Sequence, residues 1–237
     1  MNNRIAAVLA AILALGAVPG IAQTMPDRVA PLAPSEKLPN LDKLKDELKQ
    51  YHACTCACGC YAKDLDLEAD RAIAFLDRRA AHNTKHEKLA LVLDIDETTL
   101  SNYSEMEKQG FAYDAKSFNA WAQQAAATAI PGTLRLVKEA QKLGVAVIFL
   151  TGRPDGQRAA TARNLAGQGF TGYKELRMRA AADAKSSAIA FKSAQRAQVV
   201  GEGYTIVESV GDQWSDLRGK PQAEYSVKYP NPYYFIP

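Results

Sequence analysis

Three short apolar runs, each ending in a polar cluster and separated by helical stretches, predict an α/β fold: a Rossmann-like open parallel sheet with helices on both faces. The runs are Leu89–Leu93, Val145–Leu150 and Tyr204–Val210. Strands covered on both faces read as near-continuous apolar runs of this length, whereas a strand with one wet face alternates. The 237 residues, 47% hydrophobic and 23% charged, suit one globular domain with its own core. Net charge is only +3 and the two signs alternate along the chain, which argues against a nucleic-acid polymer as partner and gives membrane-surface binding no support.

Taken in order, the chain opens on a leader. One positive charge in Met1–Arg4, an apolar run over 5–18 and Gly20-Ile21-Ala22 before Gln23 predict a signal peptide over 1–22. Pro19 and Gly20 end the run short of the roughly 20 apolar residues that a membrane-spanning helix needs. The mature protein is therefore expected to be exported, periplasmic or secreted, with no membrane span left after cleavage. Residues 23–40 hold Pro26, Pro31, Pro34 and Pro39, a stiff extended linker, so the folded domain is expected over 41–237.

Leu41, Leu44 and Leu48, then Leu65, Ala69, Ala72, Ile73, Leu76 and Ala80, recur at helical spacing and predict two amphipathic helices before the first strand. Between them lie His52 and all four cysteines, Cys54, Cys56, Cys58 and Cys60. In an exported chain the default is oxidation, and four cysteines allow three pairings among which the sequence does not choose. A Cys-x-Cys bridge strains the usual Cα separation, while Cys54 with Cys58 fits one helical turn. Intermolecular disulfides and a soft-metal site for copper(I) or zinc stay open. His82 and His86 read as surface residues before the first strand. Further on, Thr133–Leu143 is a helix between Pro131 and Gly144, with Leu134, Val137 and Ala140 inward. Asp155 is placed to cap the next helix, closed by Gly167 or Gly169, and Leu176–Met178 and Ala188–Phe191 are weaker strand candidates.

The chemistry lies at the run ends. The first leads into Asp94-Ile-Asp-Glu-Thr98, the second into Thr151-Gly-Arg153 and the third into Gly211-Asp-Gln-Trp-Ser-Asp216. Open parallel sheets bind ligands beyond the carboxyl ends of their strands, so these clusters should converge. Asp94, Asp96, Asp212 and Asp216 would then repel one another in one small space. A divalent cation resolves this, and an all-oxygen site with phosphate and water is what magnesium (Mg2+) prefers. Lys192 is a candidate positive charge.

These residues resemble the haloacid dehalogenase superfamily, whose four signatures, Asp-x-Asp-x-Thr, a strand-end Thr or Ser, a Lys and Gly-Asp-x-x-x-Asp, are matched in order by Asp94–Thr98, Thr151, Lys192 and Gly211–Asp216. Leu-Asp-Ile-Asp-Glu-Thr, Leu-Thr-Gly-Arg, Phe-Lys-Ser-x-x-Arg, Gly-Asp-Gln-Trp-Ser-Asp and Pro230-Asn-Pro-Tyr are similar to its exported class B acid phosphatases, subfamily IIIB, over about 41–237. The cysteine segment departs from that pattern: Tyr51-His52 and Gly59-Cys-Tyr61 look like the ends of a shorter Tyr-His-x-Ser-Gly-x-Tyr stretch.

The resemblance implies a magnesium-dependent acid phosphatase that hydrolyses small phosphate monoesters through an aspartyl-phosphate. Asp94 would be nucleophile and metal ligand, Asp96 general acid and then base with its backbone carbonyl on the metal, and Asp212 a further ligand. Thr151, supported by Gly152, would bind a phosphoryl oxygen and Lys192 would offset transition-state charge. Asp216 would orient a metal-bound water or Lys192, and Asn102 would contact substrate. The segment 99–129 would form a small helical cap. Its Tyr103, Phe111, Tyr113, Phe118 and Trp121 suit plain packing, best seen in Phe118 with Trp121 at i, i+3, or stacking on a nucleobase or aryl group, which makes nucleoside monophosphates candidate substrates. Two other classes were weighed: a non-catalytic storage or binding relative, against which Asp94 stands, and an envelope metal- or redox-handling protein using the four cysteines. Homo-oligomer formation stays open.

Overall fold

The computed structural model describes residues 38–56 and 60–236; the expected leader, nearly all of the expected linker and Cys58 lie outside the described residues. Helix α1 (Leu41–Ala53) starts at Asn40, whose side chain accepts from the Asp42 amide at 2.9 Å. It buries none of its residues, whereas α2 (Tyr61–Ala81) buries Tyr61, Leu65, Ala69, Ala72 and Leu76, a stripe one helix face wide. Strand β1 (Lys88–Leu93) follows, then an insert in which the short strands β2 (Leu100–Ser101) and β3 (Thr128–Ala129) pair antiparallel and enclose α3 (Tyr103–Lys108) and α4 (Ala115–Gln124). The rest alternates: α5 (Pro131–Lys142), β4 (Ala146–Pro154), α6 (Arg158–Gly167), β5 (Glu175–Arg179), α7 (Ala188–Gly201), β6 (Tyr204–Gly211), α8 (Trp214–Leu217) and β7 (Tyr225–Lys228). Among the described residues, no helix is long and apolar enough to cross a membrane.

The five long strands form one parallel sheet in the order β5-β4-β1-β6-β7. Leu89, Leu91, Leu93, Val147 and Phe149 point to the side covered by α2, α5 and α6; Ala90, Val92, Ile148, Leu150 and Ile206 point to the other, against Phe191 and Val199 of α7. Two apolar faces explain why the runs lack alternation. From β1 the chain winds outward through β4 and β5, then crosses to β6 and β7 on the other flank. The direction reverses between β1 and β6, and the crevice beyond their carboxyl ends is where such sheets bind ligands.

Two local expectations fail. Ala188–Phe191 is no strand but the first turn of α7, because the Ser187 hydroxyl accepts from the Ala190 amide at 3.2 Å and caps a helix there. Asp155 does not cap α6: it opens a 3-10 turn, its carboxylate accepts from Arg158 Nε at 2.9 Å, and Gln157 stands at the cap position without a side-chain bond. By contrast, Leu176–Met178 lies within β5, and α6 ends at Gly167.

Candidate active site

Asp94 is the first residue past β1, its amide bonded to the Val210 carbonyl at 3.0 Å, so the end of β1 is stitched to β6 two residues before Asp212. From the opposite face of the sheet α7 delivers Lys192, whose Nζ donates to Asp94 Oδ1 at 2.6 Å and also to Asp216 Oδ1. Asp216 is fixed in turn by the Gln213 amide, which donates to its Oδ2 at 2.8 Å in the capping box of α8. Gly211 has no alternative here, since a Cβ at that position would overlap the Asp216 side chain. Asp212 accepts from Thr98 Oγ1 at 3.2 Å, Gln213 Nε2 at 2.6 Å and Asn231 Nδ2 at 2.7 Å.

Asp94, Asp212 and Asp216 thus bring one carboxylate oxygen each within 4.8 Å of the others, all buried. Burial pushes the Asp94 carboxyl well above the usual range; Lys192 opposes this, and Asp216 and Asp212 add to it. Burial and then Asp216 push Asp212 up to about 6. Burial alone would lower Lys192, but Asp216 and Asp94 carry it above its ordinary value. Three carboxylates against one ammonium leave uncompensated negative charge in a poorly solvated space. That donor set, all oxygen and mostly anionic, fits a hard divalent cation.

Asp96 does not join this group. Its carboxylate turns to Arg153, accepting from Nε at 3.0 Å and Nη2 at 2.6 Å, and to Asn102 Nδ2 at 2.8 Å. The expected four-carboxylate cluster is therefore three plus one, because Arg153 supplies a nearer, buried counter-charge. Asn102 is fully buried with its amide engaged: it donates to Asp96 and Glu97 and accepts from Trp121 Nε1 at 2.9 Å. Its Nδ2 thereby helps to hold the Asp96 carboxylate. Asp216 accepts from Lys192 Nζ. Thr151 is buried, its hydroxyl accepting the Arg153 amide at 3.1 Å, and Gly152 beside it lines the cleft.

The cleft, ≈500 Å³, is bounded by Asp94, Asp96 and Lys192 at its floor, by Phe111, Tyr113 and Phe118 of the insert on one side, and by Tyr233 to Ile236 on the other. A larger hollow of ≈790 Å³ sits near the amino-terminal ends of the strands, beside Lys88, Val145 and Tyr204, away from the converging carboxylates. Of the insert aromatics, Tyr103, Phe111 and Trp121 pack on the core, and Phe111, Tyr113 and Phe118 line the cleft. Several site residues carried no assigned role in the sequence reading. Arg153 stood in the Thr-Gly-Arg cluster. Glu97, which accepts from the Asn102 amide at 2.6 Å and from the Tyr234 hydroxyl at 3.1 Å, is pushed up to about 8 by burial and then by Asp96. Gln213, Asn231 and Tyr234 were signalled only by the motif text around them.

The cysteines lie apart from this chemistry, and among the described residues none lines the cleft. Cys54 is disulfide-bonded to Cys60, with Cys56 Sγ 3.1 Å from the Cys54 sulfur. The one-turn pairing of Cys54 with Cys58 involves a residue that lies outside the described ones. His82 and His86 are exposed, as expected.

With this geometry in view, comparison with known proteins is informative. Residues 29–237 match the family model described as HAD superfamily, subfamily IIIB (Acid phosphatase). The chain is 39% identical over 148 residues to Acid phosphatase 1 of Solanum lycopersicum, covering 61% of this chain and 58% of that protein. It is 31% identical over 150 residues to Vegetative storage protein 1 of Arabidopsis thaliana, covering 62% and 55%. The matches thus span less than two thirds of these relatives. Among solved structures, the class C acid phosphatase from Bacillus anthracis superposes with a TM-score of 0.65 at 25% identity, covering 81% of this chain and 87% of that one. The match of nearly the whole folded chain to the family model establishes that this protein belongs to the HAD superfamily, subfamily IIIB, the acid phosphatases.

Proposed function

We propose that this protein is an exported, magnesium-dependent acid phosphatase that hydrolyses small phosphate monoesters through an aspartyl-phosphate on Asp94. The observation that carries the reading is the buried Lys192 Nζ held 2.6 Å from Asp94 Oδ1 while Asp212 and Asp216 crowd the same carboxylate. Asp94 and Asp212 would hold the magnesium ion with the Asp96 carbonyl; bound there, it would neutralise carboxylate charge and polarise the phosphoryl group. Export rests on the leader-like residues 1–22.

Lys192 orients Asp94 and, with the Thr151 hydroxyl and the Gly152 backbone, faces the phosphoryl oxygens, where charge gathers as the Asp94 oxygen bonds to phosphorus and the ester P–O bond breaks. The leaving oxygen takes a proton from Asp96. In the second half-reaction Asp96 accepts a proton from the attacking water, the acyl phosphate is cleaved at phosphorus, and inorganic phosphate and Asp94 are released. Arg153 and Asn102 hold the Asp96 carboxylate in place for both proton transfers. Phe111, Tyr113 and Phe118 give the leaving group an aromatic wall, which suits aryl and nucleoside monophosphates.

The test is hydrolysis of p-nitrophenyl phosphate from acidic to neutral pH, with magnesium or with chelator, beside Asp94→Asn. Metal-dependent turnover that is lost in the variant is expected. Absence of turnover in folded, metal-loaded protein overturns the reading.

A further inference from the structure

Helix α1 is attached to the body chiefly by its last turn. Tyr51 donates to Asp64 Oδ2 at 2.5 Å, and His52 enters an aromatic cluster drawn from three separate segments. The His52 ring stacks on Tyr103 of α3, with centroids 3.3 Å apart and planes 3° from parallel, and its Nδ1 lies 2.8 Å from the Tyr233 hydroxyl of the carboxyl-terminal segment. Burial lowers the imidazole from its ordinary value, which favours the neutral ring, and Nδ1 shares a hydrogen bond with the Tyr233 hydroxyl. Tyr233 in turn stacks on Phe111, centroids 5.8 Å apart, and those two rings form part of the cleft wall. Immediately after His52, the Cys54–Cys60 disulfide ties the end of α1 to the start of α2, whose Tyr61 packs on both His52 and Tyr233 at 5.5 and 5.3 Å. A side chain from outside the sheet and the insert thus bridges the two segments between which substrate must fit.

We infer that His52 is a positioning residue of the substrate cleft: by joining Tyr103 of the insert to Tyr233 of the carboxyl-terminal segment, and held in place by the Cys54–Cys60 disulfide, it fixes the Phe111–Tyr233 wall against which an aromatic leaving group rests. This rests on the phosphomonoesterase reading for its substrate class. It assigns the departing cysteine segment a task, that of holding α1 where His52 can reach both partners. The phosphate end of the site, built from Asp94, Thr151 and Lys192, makes no contact with His52 and is independent of it.

The experiment compares wild type, His52→Ala, His52→Phe, which can stack on Tyr103 but cannot hydrogen-bond to Tyr233, and the double variant Cys54→Ser with Cys60→Ser. Steady-state hydrolysis of p-nitrophenyl phosphate is measured with inorganic phosphate as competitive inhibitor, beside equilibrium binding of phenylphosphonate, which needs no turnover. His52→Ala is expected to raise KM and to weaken phenylphosphonate about tenfold, the scale of lost aromatic contacts, with kcat and the phosphate inhibition constant held within about twofold. His52→Phe should fall between, and the double serine variant should repeat the alanine result. Unchanged KM and phenylphosphonate binding in His52→Ala overturn the proposal, as does a parallel rise in the phosphate constant, which marks a general loss of structure. Alanine effects without any change in the double serine variant overturn the part assigned to the disulfide. A wild type that binds phenylphosphonate but does not turn over sinks the phosphatase reading while the binding arm still decides the role of His52.

Discussion

Lys192 Nζ reaches Asp94 Oδ1 at 2.6 Å from α7, 98 residues along the chain, and binds Asp216 at the same time. One buried cation therefore answers two carboxylates, and removing it strands both. Lys192→Met is expected to lower kcat by about 10²–10³, the usual cost of losing one preorganised group at developing charge. It should also destabilise the fold by about 3–5 kcal/mol, since a broken buried pair leaves an uncompensated charge. Saturating magnesium should restore part of the melting temperature without restoring turnover. Thermal melts with and without the ion, beside single-turnover rates, check both halves.

Arg153 gives a different prediction, because it touches the proposed acid-base group and not the nucleophile. With Asp96 held by Nε and Nη2, Arg153→Met frees its carboxylate to rotate away from the leaving oxygen. Proton delivery matters most when the leaving alcohol is a poor leaving group. The variant should lose about 10²-fold in kcat with an alkyl phosphate and far less with p-nitrophenyl phosphate, whose phenolate departs unaided. Equal losses with both substrates would place Arg153 in phosphate binding instead.

Much of this site was legible before any coordinates because topology does the assembling. Asp94, Thr151 and Asp212 each sit at the end of a run that could only be a buried parallel strand, and parallel strand ends share one edge. What stayed hidden is what side chains do after the backbone has placed them. Arg153 lay in plain view two residues from Thr151, yet its turn toward Asp96, 57 positions away, depends on the buried path between two strand ends. Nothing local to Asn102 reveals that its amide also bonds Trp121 and Glu97. Asn231 and Tyr234 come from a segment past β7 with no periodicity to read. Ala188–Phe191 misled for another reason: four apolar residues cannot separate strand from helix, and the deciding signal was Ser187 just before them.

The close approach of α2 and α5 provides a control for stability effects. A Cβ on Gly132 would stand 2.7 Å from Ala69 Cβ, so the helices would have to part. Gly132→Ala should cost about 1–3 kcal/mol as overpacking. Because neither residue borders the cleft, kcat per folded molecule should be unchanged. A urea midpoint measured beside kcat tests this, and a drop in kcat would show that the sheet's catalytic end feels the spacing of these helices.

Glu208 offers a pH-dependent stability whose sign is fixed by burial. It lies on β6 with no exposed surface, and among the described residues neither carboxyl oxygen has a hydrogen-bond partner. Burial alone pushes it from 4.5 up to about 9. The folded chain therefore keeps this proton over a range in which the unfolded chain has lost it. Below about 4.5 both states are protonated and its ionisation costs the fold nothing; from there to about 9 stability falls as pH rises, and beyond it the loss is constant. Glu208→Gln keeps the shape and removes the titration. The variant should match wild type near pH 4 and exceed it by about 4–5 kcal/mol at pH 8, at a limiting slope of about 1.4 kcal/mol per pH unit. Urea unfolding at the two pH values measures the difference directly. A gap that does not widen with pH would mean that the buried carboxylate finds a polar partner in solution, and β6 would then be hydrated beneath the site that its far end carries.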